Sequence, residues 1–324
     1  MSRLQLTLAC GRYDLMGELI AGSVVPPGID LNVLTMASPE RHRRMLRNAE
    51  FDVCELSLAG YLLEREAAHR FTAIPVFPHR RFRHGYVVIN TSCGIVKPAD
   101  LNGKRIGLRS LRNSAGLWMR GILQEHYGVD LGSIEWWCQE EEEIAIKPAA
   151  WMKVHRVPAG RNIDEMLVAG ELHAAVYPET LPSQRKRSPE VGLLFADPKA
   201  AEIEYYRKTG IFPIMHTIVI SNEILAAYPW AAVSLAQGFQ QAKEACYRRM
   251  RNPRVLALAW AEEHFKEQQA VFGDDPWPYT LEENRVNLEV AIRYAYQEGM
   301  IAQQPRIEEL FVPSTLLATG HYIE

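Results

Sequence analysis

The chain has 324 residues, of which 48% are hydrophobic and 23% charged, which is ordinary for a globular protein of one large or two smaller domains. Its formal net charge of −3 excludes the basic excess that is typical of nucleic-acid-binding proteins. No apolar run approaches the roughly 20 residues that a membrane span needs, and the 5 cysteines lack the C-x-x-C spacing of a structural zinc site.

The N-terminal segment predicts a strand rather than an export signal. Leu4, Leu6 and Leu8 alternate with polar residues over 4–10, whereas a signal peptide has a continuous apolar core. The cysteines are scattered and odd in number, which is typical of reduced thiols. Both patterns predict a cytoplasmic protein.

Strand and helix signals alternate over the first 70 residues. The predicted strands cover 4–10, 31–34 and 51–57, and the predicted helices cover 15–22, 38–48 and a segment beginning after Ser57. This alternation predicts an open α/β layer with a parallel sheet, and such sheets bind ligands at the carboxyl ends of their strands. The polar residues expected at those ends are Tyr13, Asp14, Glu55 and Ser57.

The segment 74–90 combines cations with an apolar run. Arg80, Arg81 and Arg83 precede a predicted buried strand at Tyr86–Ile89, and the same segment contains His79 and His84. Guanidinium groups grip carboxylates with paired hydrogen bonds, and imidazoles exchange protons near neutral pH.

Segment 74–90 is therefore interpreted as an anion-gripping site with acid–base capacity, and the alternative is a basic loop between domains. If the segment is extended, Arg81 and Arg83 face one side and Arg80 and His84 the other, so one pair is expected to line the site.

A second α/β unit follows from residue 100. A strand ends at Leu108, and small residues from Ser114 lead into a helix over 117–127 that Gly128 stops. The first amides of such a helix favour an anion, although a plain strand–loop–helix connection is the alternative. Tyr177 is expected at the carboxyl end of a later strand, and the acidic run 140–143 is interpreted as a solvated face.

The segment 211–220 repeats the form of the segment around residue 84, with proline, histidine and a β-branched run. Two such crossing strands that flank an α/β unit predict a bilobed protein with a ligand cleft. We expect lobe 1 at 1–86 plus 216–324 and lobe 2 at 87–215. The helical C-terminal third has predicted helices at 223–228, 231–251, 254–272 and 281–299.

Several stretches carry a family resemblance. They are Ala9–Asp14, Asp52–Ser57, Ile74–His84, Trp118–Leu123, Phe212–His216 and Phe272–Tyr279 with Asn284. In these stretches the chain resembles the 4,5-dihydroxyphthalate decarboxylase family, cytoplasmic relatives of transport proteins. The resemblance implies a type II periplasmic-binding-protein-like fold. It also implies cofactor-independent decarboxylation of a hydroxylated aromatic dicarboxylate.

That reaction needs a proton donor at the ring carbon, a base at a hydroxyl group and cations for the carboxylates. His84 or His216 is expected to protonate the ring, and Glu55 to take the phenolic proton. The candidate substrate-binding residues are Arg80, Arg81, Arg83, Arg120, Ser57, Tyr13, Asp14, Ser114, Trp118 and Tyr177. For Trp118, core packing is the alternative to ring stacking.

Other interpretations stay open at this level. A divalent metal on His84, His216 and Glu55 is one of them, although no metal-binding motif supports it. A non-catalytic protein that binds an aromatic acid, as a transport receptor or a cytoplasmic sensor, is another. We expect a small aromatic carboxylate as the partner, without nucleic acid or membrane, and the helical C-terminal third offers surface for a homo-oligomer.

Overall fold

The computed structural model describes residues 3–316, which form an α/β protein. Its strands are β1 (Leu4–Cys10), β2 (Ile29–Thr35), β3 (Val53–Ser57), β4 (Phe71–Arg80), β5 (Val87–Asn90), β6 (Arg105–Leu108), β7 (Glu135–Cys138), β8 (Lys153–Arg156), β9 (Ala174–Val176), β10 (Val191–Leu193) and β11 (Ile214–Ser221). Its α-helices are α1 (Gly17–Ile20), α2 (Ser38–Asn48), α3 (Leu58–Ala67), α4 (Ser114–Tyr127), α5 (Ile163–Val168), α6 (Pro182–Arg185), α7 (Pro198–Thr209), α8 (Asn222–Ala227), α9 (Ala231–Met250), α10 (Ala261–Phe272) and α11 (Arg285–Gln297).

The chain divides into two compact units. Of the described residues, unit 1 takes those within Met1–Arg80, Ile214–Glu289 and Pro305–Glu324. Unit 2 takes Arg81–Pro213 and Val290–Gln304.

Unit 1 is built on a sheet with the strand order β2-β1-β3-β11-β4. Strand β1 runs parallel to both β2 and β3, as predicted for the first 70 residues. The later strand β11 lies antiparallel between β3 and β4, so the completed sheet is mixed. Every residue of β3 is buried, which suits a strand at the centre of the sheet.

Unit 2 has its own sheet, with the order β10-β5-β9-β6-β7-β8. Strand β6 is parallel to β7 and β9, whereas β5 is antiparallel to β9 and β10. Helix α4 follows β6, and its first turn is capped by the side chain of Asn113, which accepts from the amides of Ala115 and Gly116. Gly128, at a φ of 65°, ends α4 where the sequence predicted a stop.

The structure differs from the predicted division of the C-terminal third. Residues 290–304 lie in unit 2, whereas the prediction assigned all of 216–324 to lobe 1. Arg120 of α4 forms a buried ion pair with Glu298, and the Tyr294 hydroxyl donates to Glu125 of α4 at 2.5 Å. These contacts fix the second half of α11 against α4.

Two local predictions also differ from the structure. The predicted helix 254–272 begins only at Ala261, because Asn252 and Pro253 open a short 3₁₀ turn instead.

The segment after β4 is not extended, since the chain leaves the sheet at Arg80 and forms a 3₁₀ turn at His84–Tyr86. The predicted alternation of Arg80 and His84 against Arg81 and Arg83 is therefore wrong.

Within residues 3–316, each helix is either too short or too polar to span a lipid bilayer.

Gly121 tests the packing of α11 on α4, because a Cβ there would overlap the ring of Tyr294. We expect Gly121→Ala to lower the free energy of unfolding by about 1–3 kcal/mol, as overpacking does, although alanine favours a helix more than glycine. Urea denaturation measures this change. Gly17→Ala is the control, since its Cβ would lie 3.8 Å from the Arg249 guanidinium, an ordinary contact. Equal or greater stability of Gly121→Ala would contradict the packing.

Candidate functional site

The side chain of Glu55 is the centre of a buried polar cluster in unit 1. Its Oε2 accepts from the amide of Gly11 at 2.7 Å and lies 2.9 Å from Nη2 of Arg41. Its Oε1 accepts from the hydroxyl of Tyr13 at 2.7 Å and from Nδ1 of His216. Glu55 and Arg41 are both 0% exposed. Both carboxylate oxygens therefore have two donors each.

The sheet order explains why these residues meet. Glu55 and Ser57 point to the same face of β3, and His216 of β11 pairs directly with Ser57. Tyr13 comes from the loop that follows β1, the other neighbour of β3. Gly11 is required in that loop, because a Cβ there would lie 2.6 Å from Cε2 of Tyr13.

The electrostatics of the cluster keep Glu55 ionised. Burial alone raises the pKa of a carboxyl group, but the charges of Arg41 and His216 outweigh it and hold the pKa of Glu55 well below its usual range. Burial and the neighbouring Glu55 raise the pKa of Tyr13, so its phenol stays protonated.

The surroundings of Glu55 do not suit its predicted role as the phenolic base. Its oxygens are taken by four donors, it is shielded from solvent, and its lowered pKa makes it a weak base. The surroundings suit instead a group that orients His216 and stabilises the protonated imidazole.

Two more histidines lie beside His216. His79 of β4 pairs directly with His216 of β11, and their ring centroids are 4.6 Å apart at 78°. His79 also stacks on Tyr13, with centroids 5.6 Å apart. His42 of α2 meets the ring of His216 edge-on at 5.0 Å.

His84 lies in unit 2, and its surroundings are those of a packed side chain. The ring is 0% exposed and is surrounded by the rings of Tyr127, Phe195 and Tyr205 at centroid distances of 5.8, 4.9 and 5.6 Å. Burial lowers the pKa of His84 to about 4, so it is neutral at physiological pH. A neutral, enclosed imidazole does not suit the predicted role of ring acid.

The three clustered arginines have different surroundings. Buried Arg80 in unit 1 donates to the side chain of Asn284 and to the carbonyl of Pro278 at 3.3 Å, so it ties down the loop before α11. In unit 2, buried Arg83 donates to the carbonyl of Pro178 at 2.8 Å. Burial and Arg81 lower the pKa of Arg83 to about 10, which leaves it charged at neutral pH.

Arg81 is the exposed member of the three. Its Nη1 lies 2.7 Å from the hydroxyl of Tyr86, and its guanidinium also lies over the Tyr86 ring at 5.6 Å. The Tyr86 hydroxyl takes one Nη group of this exposed guanidinium, whose other N–H donors suit a carboxylate.

Asp14 and Ser57 have local structural contacts in unit 1. Exposed Asp14 accepts from the amide of Leu15 at 2.8 Å and so opens the turn before α1. Buried Ser57 caps α3 by accepting from the amide of Gly60 at 3.1 Å. Ser57 nevertheless sits in the same row as His216 and His79, at the carboxyl end of β3.

Three of the predicted substrate-binding residues in unit 2 lie on α4. Trp118 is 0% exposed and packs edge-on against Tyr294 at 5.9 Å, so it belongs to the core and does not suit ring stacking. Arg120 is bound to Glu298 and to the carbonyl of Leu111 at 3.0 Å, which makes it a structural brace. Ser114 is buried at the first position of α4.

Tyr177 is half-buried at the end of β9, with the Arg109 guanidinium 5.9 Å from its ring centroid. It borders a pocket of about 510 Å³ in unit 2. The other residues that line this pocket are Gln139, Asn162, Asp164, Glu165, Glu179, Thr180, Leu181, Pro182, Arg185 and Lys186.

Sequence reasoning missed Arg41 and His42 and gave no role to the acidic run. Both residues lie on the buried face of α2 together with Met45 and Leu46. A charged residue that stands on the apolar face of a helix, one turn before apolar residues, is expected to be buried and therefore to need an ion-pair partner.

The acidic run 140–143 is also not a free solvated face, because three of its carboxylates pair with the loop before α4: Glu140 with Arg109, and Glu142 and Glu143 with Arg112.

Among the described residues, no group of three His, Cys, Asp or Glu side chains is placed to hold a metal ion. The predicted independence from a cofactor stays a prediction.

The buried pair makes a testable contribution to stability. We expect Glu55→Gln to lower the free energy of unfolding at pH 7 by about 3–5 kcal/mol, because Arg41 then stays buried without its carboxylate. Urea titration measures this loss. Glu50→Gln, which removes an exposed carboxylate beside Arg44, is the control and should have a free energy of unfolding close to that of the wild type at pH 7.

The pH dependence of the free energy of unfolding gives a second test of the Glu55–Arg41 pair. The folded-state pKa of Glu55 is below its unfolded value, so its stabilisation is present above the ordinary value of 4.5 and is lost as pH falls toward the folded pKa. The stability gap between wild type and Glu55→Gln should therefore narrow below that value. A gap that stays constant from pH 7 into the acid range would contradict the lowered pKa.

Known proteins with similar sequences place the chain in a family. Comparison with models of protein families gives no match. The 4,5-dihydroxyphthalate decarboxylase of Comamonas testosteroni is 33% identical over 325 aligned positions, which cover 98% of both chains. The protein of the same name from Pseudomonas putida is 34% identical over 214 positions, which cover 64% of this chain and 83% of the relative.

Solved structures agree on the fold. The periplasmic aliphatic sulphonate binding protein of Escherichia coli matches with a TM-score of 0.59 and 12% identity, over 98% of this chain and 100% of that one. A putative periplasmic sulfonate-binding protein of Methylobacillus flagellatus matches with a TM-score of 0.58 and 12% identity, over 98% and 94%. The predicted periplasmic-binding-protein-like fold is confirmed. On the strength of the full-length match to the Comamonas testosteroni protein, the chain belongs to the 4,5-dihydroxyphthalate decarboxylase family.

Proposed function

We propose that the protein is a carboxy-lyase that converts 4,5-dihydroxyphthalate to 3,4-dihydroxybenzoate and CO2 without a cofactor, with His216 as the acid that protonates the ring. The observation that carries this proposal is the imidazole of His216, held on an ionised carboxylate at the ligand-binding edge of the unit 1 sheet. The family membership supplies the reaction and the substrate.

The chemistry explains why a strong, oriented acid is needed. Direct loss of CO2 from an aromatic ring would leave an aryl carbanion of very high energy. Protonation of the carbon that bears the carboxylate, together with loss of the proton from the para hydroxyl, gives a dienone instead. Breaking the C–CO2 bond then returns its electron pair to the ring and restores aromaticity. The enzyme supplies an acid at carbon and a base at oxygen.

Glu55 and Arg41 support His216 as positioning residues. The bond from Nδ1 to Glu55 fixes the imidazole and leaves Nε2 as the nitrogen that delivers the proton. The positive charge of Arg41 keeps the pKa of Glu55 low. The proton between the two groups therefore stays on the imidazole, where the substrate ring can take it.

Among the predicted arginines, the surroundings of Arg81 in unit 2 suit carboxylate binding best. Arg80 and Arg83 are buried and donate to backbone carbonyls, whereas Arg81 is exposed with the Tyr86 hydroxyl as its partner. Its fork of donors suits a benzene carboxylate.

The first experiment is anaerobic incubation of chelator-treated protein with 4,5-dihydroxyphthalate, with CO2 and 3,4-dihydroxybenzoate measured together. We expect both products in equal amounts. Saturable binding of the substrate without CO2 release, also after divalent metals are restored, would contradict the proposal and support a binding protein.

His216→Gln is expected to lower kcat by about 100-fold or more, because a positioned general acid contributes about that much to the rate. The matched control is His84→Gln, the same exchange at the packed histidine of unit 2, which should cost stability but leave the kcat of the folded protein close to wild type. Steady-state CO2 release measures both variants. A His216→Gln enzyme with wild-type kcat would exclude this histidine as the acid.

A further inference from the structure

The proposed reaction moves two protons, and the cluster around Glu55 contains a second residue suited to handle one. His79 is paired with His216 across neighbouring strands, between two irregular positions of the β4–β11 pairing, and the contact of their rings puts both side chains on one face of the sheet. Their ring centroids are 4.6 Å apart and their ring planes are inclined at 78°, so the two imidazoles are in contact edge to face.

We propose that His79 is the base that takes the phenolic proton of the substrate. The inference rests on the proposed function and assigns the second of its two proton transfers.

The other members of the cluster are unsuited to this role. Glu55 is enclosed by four donors, and Arg41 is a permanent cation bound to it. Tyr13 is held in its protonated form by burial and by the adjacent carboxylate. His42 is buried on α2, whereas His79 is partly exposed at the end of β4.

Tyr13 fixes the ring of His79 for this task. The two rings stack at 28° with centroids 5.6 Å apart, while the Tyr13 hydroxyl is anchored to Glu55. One carboxylate thus orients both histidines, His216 by a direct hydrogen bond and His79 through the tyrosine ring.

The proposed reaction begins with the two proton transfers. The O–H bond of the para hydroxyl breaks, its proton goes to a ring nitrogen of His79, and the oxygen electron pair forms a carbonyl. A ring electron pair takes the proton from Nε2 of His216 at the carbon that bears the carboxylate. The C–CO2 bond then breaks, its electrons restore the ring, and the carbonyl oxygen becomes a phenolate. The phenolate recovers its proton from His79, and His216 is reprotonated by solvent.

A substrate with a more acidic phenol tests this assignment, because it depends less on a base. Single-turnover CO2 release is measured for wild type, His79→Gln and His216→Gln with 4,5-dihydroxyphthalate and with an analogue that carries fluorine ortho to the hydroxyl. We expect His79→Gln to lose about 100-fold on the natural substrate. The loss relative to wild type should shrink several-fold on the fluorinated one. The loss for His216→Gln should not shrink.

A His79→Gln loss that is the same for both substrates, or wild-type rates in this variant, would overturn the inference. His79→Asn is measured in parallel, and thermal unfolding together with 3,4-dihydroxybenzoate binding reports whether each variant is folded. If wild type releases no CO2 from either substrate, the proposed function itself has failed. If wild type turns over normally and the rate ratio of wild type to His79→Gln is the same for both substrates, only the assignment of His79 as the base has failed.

Discussion

The ion pair of Glu55 and Arg41 is the constraint on which the site in unit 1 depends. Removing a carboxylate from water costs several kcal/mol unless partners replace its hydration. Here the replacement donors come from three separate parts of the chain: the loop after β1, helix α2 and strand β11. The network therefore exists only in the finished sheet, and it makes the position of His216 a property of the whole unit rather than of a local loop.

In this molecule the fold does not by itself explain the proposed chemistry, which depends on particular side chains. The two sulfonate-binding proteins compared above share the fold at 12% identity, and a shared architecture does not by itself determine a reaction. The proposed acid, His216, and the proposed base, His79, lie in one row with Ser57 on the neighbouring strands β3, β11 and β4. Strand β11 is decisive, because it places an imidazole between β3 and β4.

Local patterns in the sequence were sufficient to predict many of the strands and helices. The alternation of leucines located β1 at Leu4–Cys10, and the helix-opening residues located α2 at Ser38–Asn48. Arg41 was missed because it lies on a separate element, helix α2. The pairing of His79 with His216 could not be predicted, because it depends on a strand register set over more than 130 intervening residues. The bend at Arg80 and the contacts of residues 290–304 with α4 were likewise determined by tertiary packing.

The position of β11 in the sheet has a consequence for synthesis on the ribosome. Strands β3 and β4 are complete by residue 80, yet the strand that pairs with both begins only at Ile214. Until then each of them offers an open, apolar edge to other chains. Unit 2 is also incomplete at that stage, because Arg120 awaits Glu298. Neither unit can close before most of the polypeptide has emerged, so the nascent chain exposes these strand edges for longer than a chain whose domains are continuous in sequence.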